Sequence, residues 1–600
     1  MNAWAIVGGA LATLWTLDGL RLRARAGALK VLAPSDEAPS DDRVLLVRPG
    51  VVVDDALRRA AGAHARAHGL DVVDLVSPRI ATWRALVLLG SVEPAKYRGD
   101  RVAVGTTAGD ALLVDAALLA RSGVSPTPRD AVAFSECVRV LKRYAVTSTD
   151  LVIAPGLGSP GVPLRERRRM LRLRRSDLVM PVVAIQFGLL ALTLALAPTW
   201  GLAALAALQL QTLVATWGTP LAPRDRFLYL FTRPFVDLAS IFGPATPLAA
   251  SSARSAALRP EYDALLAHGT DSFFEPARTD CPLCGGHSLS KAMELGDRYQ
   301  FKPGRFVLTR CEDCDHLFQN PRLSTEGLSF YYRDFYDGLG EELTETIFAS
   351  DPKTYRARAQ MVASVARPRR WLDVGAGHGH FCCVAREVLP DTCFDGLDMS
   401  ESIDDAVRRR WVDHGIRGLF PETAGSLAGR PDRYDVVSMS HYLEHTLDPR
   451  AEIAAAARVL PTGGLLFIEV PDPECRLGRL FGRNWMPWFQ PQHLHFVSVR
   501  NLERVLRDNA FEPLAWHRGE AHQAVDFTFF VFIAIELLAP PLDLPWRPPS
   551  HVLARVWRRV VWTTCFPLLA LGWLLDRVIG PLFRREGWSN TYRVLARRLA

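Results

Sequence analysis

Three glycines and one aspartate have the types and spacing to hold a nucleoside. Gly375, Gly377 and Gly379 follow a short apolar run, and without a Cβ they let a ligand approach the backbone closely. Asp398 ends the next apolar run and lies about 20 residues after the last glycine. In a Rossmann-like unit, an acid at this place binds the ribose hydroxyls of an adenine-containing ligand. The pattern predicts a nucleoside site; the alternative is a glycine turn with only a structural role.

The run LDVGAGHG, from Leu372 to Gly379, resembles the first motif of the class I S-adenosylmethionine (SAM) methyltransferases. The glycine spacing is GxGxG, whereas dinucleotide-binding enzymes use GxGxxG. The resemblance extends from about Leu372 to Glu520 and implies a Rossmann-like methyltransferase domain, which we assign to residues 323–523. The residues that it implies for SAM binding are Asp373, Gly375, Gly377, Gly379, Asp398, Met399, Glu422 and Ser440.

Alternating strands and helices of this domain must position the site. Continuous apolar runs predict strands buried in a parallel sheet, and longer periodic runs predict the helices between them. The predicted strands are 371–374, 394–397, 434–439 and 465–470, and the predicted helices are 381–389, 402–414 and 450–460.

The segment after the fourth strand carries candidate catalytic residues. The resemblance implies that this segment lies along the methionine half of SAM and faces the methyl acceptor. His441 and Glu444 are three residues apart, on one face if the segment forms a helical turn. His493 and His495 alternate in a later loop rich in Trp and Pro, so on an extended segment they point the same way. We predict that His441 or His493 removes a proton from an acidic acceptor.

Two alternatives stay open for these histidines. Either imidazole of the HxH pair, His493 or His495, is equally well explained as a hydrogen-bonded loop residue. The second alternative is that the HxH pair supplies two ligands of a metal site, although the sequence fixes no third ligand near it.

Two CxxC pairs predict a metal site in residues 275–322. Two such turns aim four thiolates at one point, which suits a structural zinc ion better than a redox disulfide. A four-cysteine zinc ribbon directly ahead of a SAM-binding domain resembles the sugar C-methyltransferases of deoxysugar and antibiotic pathways. The predicted ligands are Cys281, Cys284, Cys311 and Cys314.

Apolar and basic stretches predict attachment to a membrane. Residues 1–22 read as an N-terminal anchor, and residues 177–223, uncharged from Leu178 to Pro223, read as a transmembrane helical hairpin broken near Pro198. Arginines flank both ends of the hairpin, which places these ends in the cytoplasm. Residues 525–600 read as a membrane-associated helical tail. The alternative for each stretch is a helix buried in protein.

The net charge of +7 is local, since arginines cluster between 165 and 175 beside the apolar run. This position favours an anionic membrane surface as partner over nucleic acid. Strand-like and helical segments in residues 43–165 predict a separate N-terminal α/β domain. An α/β domain followed by a basic stretch and membrane helices is loosely similar to membrane glycosyltransferases. The DxD pattern that such enzymes use to hold a metal and nucleotide is absent.

The sequence therefore predicts a multi-pass protein of the cell membrane with its catalytic domain in the cytoplasm. Its function would be SAM-dependent methylation of a small-molecule or lipid-linked acceptor, such as a lipid-linked sugar, a glycolipid or another cell-envelope intermediate. Two alternatives remain at this point: a bifunctional protein with a glycosyltransferase-like front half, and an inactive membrane scaffold that keeps the SAM-binding fold.

Overall fold

The computed structural model divides the chain into two compact units, Met1–Ala250 and Ser251–Ala600. It describes residues 3–37, 42–91, 109–122, 124, 126–144, 149–162, 166, 179–233, 258–333, 352–519, 525–542, 544–583 and 585–599. The basic stretch at 165–175 lies, apart from Glu166, outside the described residues.

The first unit contains a five-stranded sheet in the order β1-β5-β3-β4-β2, in which β4 runs antiparallel to both of its neighbours. Its strands are β1 (Lys30–Val31), β2 (Arg43–Val47), β3 (Val72–Val76), β4 (Ala111–Asp115) and β5 (Thr149–Ile153). Its helices are α1 (Ala3–Gly27), α2 (Asp55–His68), α3 (Thr82–Ser91), α4 (Ala116–Ser122), α5 (Ala131–Tyr144), α6 (Val179–Leu196) and α7 (Pro198–Thr216).

Helix α1 packs against the predicted helix pair. The break between α6 and α7 falls at Ala197, because Pro198 cannot donate the backbone hydrogen bond that would continue the first helix. Gln211 of α7 donates a 2.5 Å hydrogen bond to Asp18 of α1, and Arg23 donates a 2.6 Å bond to the carbonyl of Trp217. By length and composition, α1 and α7 are the described helices that could cross a membrane.

The second unit contains the segments predicted to bind SAM and metal. Its strands are β6 (Leu289–Leu295), β7 (Phe306–Cys311), β8 (Leu317–Gln319), β9 (Arg370–Val374), β10 (Cys393–Asp398), β11 (His414–Arg417), β12 (Val436–Ser440), β13 (Leu465–Pro471), β14 (His495–Phe496), β15 (Phe511–His517) and β16 (Thr591–Arg598). Its helices are α8 (Thr325–Tyr332), α9 (Pro352–Ala363), α10 (His380–Ala385), α11 (Ser402–Arg408), α12 (Phe420–Ala428), α13 (Pro449–Val459), α14 (Arg476–Phe481), α15 (Val499–Asp508), α16 (Asp526–Leu538), α17 (Val552–Val578) and α18 (Gly580–Phe583).

A seven-stranded sheet in the order β11-β10-β9-β12-β13-β16-β15 forms the core of this unit. Strands β9 to β13 are parallel, and β16 inserts antiparallel between β13 and β15. Every residue of β13 is buried, as expected for a central strand covered on both faces. The carboxyl ends of the parallel strands therefore meet at one edge of the sheet, where α/β proteins bind their ligands.

The last strand corrects the prediction for residues 525–600. This stretch was predicted to be a helical tail, but Thr591–Arg598 is β16 and pairs with β13 along its whole length. Val594, Leu595 and Ala596 are fully buried in the sheet. The helices described in this stretch are α16, α17 and α18, and they are an insertion between β15 and β16.

A second correction concerns the helix predicted at 402–414. Helix α11 ends at Arg408, and Arg410 has a φ of +57°, a left-handed conformation that breaks the helix. His414 instead begins β11, which extends the sheet beside β10.

A smaller sheet in the order β14-β8-β7-β6 carries the cysteines. Its strand β14 comes from the loop after β13, within the segment assigned to the methyltransferase domain, and pairs antiparallel with β8. Cys281 and Cys311 belong to the same hydrophobic core as Leu372 and Val437 of the large sheet. The segments predicted as two domains, 275–322 and 323–523, thus share one sheet and one core.

Candidate active site

The glycine turn connects β9 to α10 at the carboxyl edge of the sheet. Gly375, Gly377 and Gly379 have φ values of +76°, +51° and +76°, which residues with a Cβ rarely adopt. A Cβ on Gly375 would lie 2.6 Å from the ring of Tyr442, so this position also requires glycine sterically. A Cβ on Gly377 would meet nothing within 4 Å, so a ligand can approach the backbone there.

Asp398 ends β10 beside this turn. Its carboxylate accepts hydrogen bonds from the amide of Gly377 at 2.9 Å, the amide of Ser400 at 2.9 Å and the Ser400 hydroxyl at 2.7 Å. The carboxylate is thus held beside the glycine turn, by the hydrogen bond with the backbone of Gly377. Met399, the next residue, is 68% exposed.

The other predicted cofactor residues occupy different environments. Asp373 is buried in β9 and accepts a 2.6 Å bond from the Ser438 hydroxyl; burial raises its pKa to about 7. Glu422 is exposed in the first turn of α12, after the third strand of the parallel set. Ser440 ends β12, and among the described residues its buried hydroxyl has no hydrogen-bond partner.

His441 directly follows β12 with a φ of +51°, and its amide donates a 2.8 Å bond to the carbonyl of Glu469. Its Nδ1 lies 3.1 Å from a Glu444 carboxylate oxygen, and its Nε2 lies 3.1 Å from a Glu469 carboxylate oxygen. Burial alone would lower the pKa of His441, but the hydrogen bonds to Glu444 and Glu469 raise it to about 9. This environment favours imidazolium, whose Nδ1–H donates a hydrogen bond to Glu444 and whose charge is paired with Glu469.

Glu469 joins His441 to distant parts of the chain. It lies in β13, fully buried, and one carboxylate oxygen accepts a 3.1 Å bond from Nε of Arg358 in α9. The other oxygen accepts a hydrogen bond from Arg593 in β16. No local sequence pattern joins Glu469 to Arg358 or Arg593, because these residues are far apart in the chain.

His493 lies close to His445 and Glu444 rather than to His495. One ligand atom from each of Glu444, His445 and His493 lies within 4.8 Å of the others. The Nδ1 of His493 is 2.7 Å from the Pro487 carbonyl, and burial lowers the pKa of this imidazole to about 3. His493 is therefore neutral at physiological pH.

The expected alternation of the HxH pair is wrong. His495 faces the smaller sheet, and its Nδ1 is 3.2 Å from Nε2 of His316. Strand β14 begins only at His495, and the preceding segment turns through residues 486–488, so strand alternation does not apply to His493. His445, which is not among the candidate catalytic residues predicted from the sequence, joins the cluster instead.

A family model described as a methyltransferase domain matches residues 349–515. The chain contains a class I SAM-dependent methyltransferase domain. The match covers the glycine turn, Asp398 and the cluster of His441, Glu444, His445, Glu469 and His493. The expectation drawn from the LDVGAGHG motif is confirmed.

Curated relatives of the methyltransferase domain include ubiquinone biosynthesis O-methyltransferases. The protein from Saccharophagus degradans is 26% identical over 152 residues, which are 24% of this chain and 64% of the relative. The protein from Serratia proteamaculans is 32% identical over 141 residues, which are 22% of this chain and 57% of the relative. In both cases the chain spans less than two thirds of the relative's length.

Solved methyltransferase structures also align with this chain. A SAM-dependent methyltransferase from Archaeoglobus fulgidus aligns over 43% of this chain and 100% of its own, at 18% identity and a TM-score of 0.28. An O-methyltransferase family protein from Burkholderia thailandensis aligns over 29% of this chain and 56% of its own, at 18% identity and a TM-score of 0.24.

The four predicted cysteines converge beside the methyltransferase domain. The sulfur atoms of Cys281 and Cys314 are 3.8 Å apart, and those of Cys284 and Cys311 are 3.5 Å apart. All four sulfurs lie within 4.8 Å of one another, and three of the four residues are buried. Four thiolates at these separations fit the tetrahedral shell of a Zn²⁺ ion with Zn–S bonds of about 2.3 Å.

Proposed function

We propose that this chain is a membrane-associated methyltransferase that transfers the methyl group of SAM to a lipid-linked or otherwise apolar acceptor of the cell envelope. The observation that carries the proposal is the site at the carboxyl edge of the large sheet, where the glycine turn and Asp398 lie beside the buried cluster around His441. The SAM sulfonium would supply a methyl group for in-line transfer to a nucleophilic acceptor atom. The chain has to bind the nucleoside, orient the acceptor and exclude water.

The nucleoside would bind against the open backbone at Gly377, with its ribose on Asp398 and its methionine part near Ser440. The unpartnered hydroxyl of Ser440 supports this placement, because a buried hydroxyl without a partner is costly unless a ligand satisfies it. Asp373 lies in β9, just before the turn, and its bond to Ser438 joins β9 to β12. Met399 and Glu422 would lie further along the nucleoside, toward the adenine.

The position of α16 and α17 supports an apolar acceptor. Because β15 and β16 are antiparallel and β16 is antiparallel to β13, the helices that connect them leave from the carboxyl edge of the sheet, where the site lies. Phe527 and Phe530 of α16 pack on Phe481, the last residue of α14, and α14 precedes the loop that carries His493. The apolar helices are therefore attached to the acceptor side of the site.

These helices expose apolar side chains on a scale that suits contact with lipid. The large apolar residues that are exposed on them are Leu537, Leu538, Val552, Leu553, Val556, Trp557, Val560, Leu568, Leu571, Trp573, Leu574 and Val578. Together with the length of α1 and α7, this surface supports attachment to a membrane whose lipids include the acceptor. Release of the full chain from membranes by alkaline carbonate would contradict this assignment for the spanning helices.

The function is tested by incubating membranes that contain the full chain with methyl-labelled SAM and separating lipids, lipid-linked sugars and water-soluble products. The proposal expects label in the lipid extract that is absent from membranes carrying the Asp398→Ala variant. Label confined to water-soluble molecules would contradict the lipid-linked acceptor. Absence of label from every fraction, with SAM bound normally, would favour the inactive scaffold.

We predict that His441→Ala lowers the transfer rate by about 100-fold, within the range for a residue that positions or protonates reacting groups. Glu444 and His493 belong to the same proposed catalytic group, and His493→Ala is expected to act similarly. The measurement is the rate of label transfer at saturating SAM, with SAM affinity determined separately. His517→Ala, an exposed histidine at the end of β15, is the matched control. Full activity in both the His441 and His493 variants would remove them from the mechanism.

We also propose a structural zinc ion on the four cysteines. The purified chain is expected to contain about one zinc ion, and Cys311→Ser is expected to lose it and to destabilise the second unit, because Cys311 lies in the core shared with the large sheet. Elemental analysis and thermal unfolding measure both effects. Cys565→Ser, which removes a cysteine on α17, should change neither. Unaltered zinc content in Cys311→Ser would disprove the assignment.

A further inference from the structure

The geometry points to a second cation site, in which Glu444, His445 and His493 bind a divalent transition-metal ion that holds an oxygen atom of the methyl acceptor. Its use on the acceptor rests on the proposed function; the binding of the ion does not. The site is distinct from the four cysteines, and it offers nitrogen and oxygen ligands where the cysteines offer only sulfur.

Two elements bring the three ligands together. Glu444 and His445 lie in a short 3-10 turn, Leu443–His445, that follows β12. His493 comes from the loop after β13, and the amide of Leu494 donates a 2.7 Å bond to the Glu444 carbonyl, which fixes the loop against the turn. The rings of His445 and His493 are nearly perpendicular, with centroids 4.6 Å apart.

Both imidazoles are oriented in the way that metal-binding histidines are. The Nδ1 of His493 is 2.7 Å from the Pro487 carbonyl, and the Nδ1 of His445 is 3.0 Å from the Gln492 carbonyl. Such bonds place the ring proton on Nδ1 and leave the lone pair on Nε2, which fixes the tautomer for a metal ligand. The Tyr332 hydroxyl, 2.9 Å from the same Nδ1 of His445, adds to this orientation.

One carboxylate oxygen of Glu444 is held by a hydrogen bond, and the other has no partner among the described residues. His441 holds its Oε1 at 3.1 Å. Its Oε2 is buried and has no hydrogen-bond partner among the described residues, and Glu444 as a whole is only 2% exposed. A buried carboxylate oxygen without a partner is costly. A carboxylate oxygen of Glu444 also lies within 4.8 Å of a ring nitrogen of each imidazole, and no hydrogen bond joins Glu444 to either ring. A cation between them would satisfy all three groups.

The ligand set selects the kind of ion. Two imidazole nitrogens and one carboxylate oxygen suit Mn²⁺, Fe²⁺, Co²⁺ or Zn²⁺, whereas Mg²⁺ and Ca²⁺ prefer oxygen-only shells. Three protein ligands leave coordination positions open for water or substrate. Because the cluster lies next to Ser440 and His441, an acceptor oxygen at these positions would be close to the methyl group. The inference narrows the acceptor to a molecule with a hydroxyl or carbonyl oxygen at, or next to, the methylated atom.

The test uses the purified full chain, stripped with a chelator and reloaded with one equivalent of zinc, which the four thiolates bind in preference to the mixed nitrogen and oxygen site. The chain is then titrated with Mn²⁺ while free Mn²⁺ is followed by electron paramagnetic resonance. We expect about one Mn²⁺ bound per chain, and a loss of affinity of about 100-fold or more in Glu444→Gln and His493→Ala. SAM affinity, measured on the same samples, reports whether each variant is folded. His517→Ala is the control for histidine content.

The outcomes separate this inference from the proposed function. Mn²⁺ binding that is absent from the wild-type chain, or unchanged in both variants, overturns the site even if methyl transfer is intact. Mn²⁺ binding with a transfer rate that is the same with and without the ion overturns its role on the acceptor. Binding that disappears in the variants while SAM affinity persists supports the site whether or not an acceptor has been found.

Discussion

Replacing Asp398 by alanine is expected to weaken SAM binding by about 100-fold. Each hydrogen bond between a carboxylate and a ligand hydroxyl contributes about 1.5–3 kcal/mol, and one carboxylate can hold both ribose hydroxyls. The same carboxylate accepts bonds from Gly377 and Ser400, so it also fixes the turn that the nucleoside contacts. Equilibrium dialysis with labelled SAM measures the affinity directly.

The control for this variant is Glu401→Ala. Glu401 lies three residues further on, is exposed, and forms a surface pair with Arg417 at 3.4 Å, so its removal changes the same net charge without touching the turn. Thermal unfolding of both variants separates lost binding from lost structure. SAM affinity in Asp398→Ala equal to that of the wild-type chain would contradict the assignment of the nucleoside site.

A chain that is truncated after Asn590 is expected to leave the methyltransferase domain unfolded. Removal of β16 exposes the edges of β13 and β15 and opens the core at Tyr592, Val594, Leu595 and Ala596, all of which are fully buried. It also removes Arg593 from Glu469, and loss of a partner from a buried ion pair alone costs about 3–5 kcal/mol. Together, the lost packing and the broken ion pair are expected to cost a free energy close to the whole stability of a typical domain, about 5–15 kcal/mol.

A pair of point variants tests the same strand without truncation. Val594→Asp places a charge in the core and is expected to abolish SAM binding and to make the second unit sensitive to protease. Arg597→Asp introduces the same residue at an exposed position of the same strand and is expected to leave SAM binding intact. Normal SAM affinity in both Val594→Asp and the truncated chain would show that β16 is dispensable.

The sequence predicts the part of the domain that is built from neighbouring residues. The strand, glycine turn, helix and acid between Trp371 and Asp398 form one continuous unit, and each step has its own local signal. Strands β12 and β13 are apolar runs and were placed within about two residues of their observed bounds. Strand β16 was missed because its neighbours in the sheet are distant in sequence and the apolar helices before it dominate the composition of the tail.

The sequence predicts the segments that form the candidate site but not the contacts between them, because the contacting residues are distant in the chain. The HxH motif suggested metal binding but lacked further ligands, because Glu444 and His445 reach His493 only after the loop folds back across the sheet. The pairing of Glu469 with Arg358 and Arg593 spans more than 100 residues in each direction. A charged residue in an otherwise apolar strand, such as the glutamate in LLFIEV, was the one signal available for it.

The CxxC motifs predict the cysteine cluster, but the predicted bounds of its domain, 275–322, leave out a strand of its sheet. The CxxC pairs predicted the convergence of four sulfurs, which the structure shows. The strand that completes their sheet, His495–Phe496, lies far along the chain in a loop with no β signal of its own. Its pairing with β8 couples the cysteine cluster to the loop that carries His493.

The order of α16, α17 and β16 along the chain has a consequence for biosynthesis. Before β16 is translated, the nascent polypeptide contains the nucleoside-binding turn and both apolar helices, but its central sheet still has a gap beside β13. These helices are therefore synthesised before the strand that allows the catalytic fold to close.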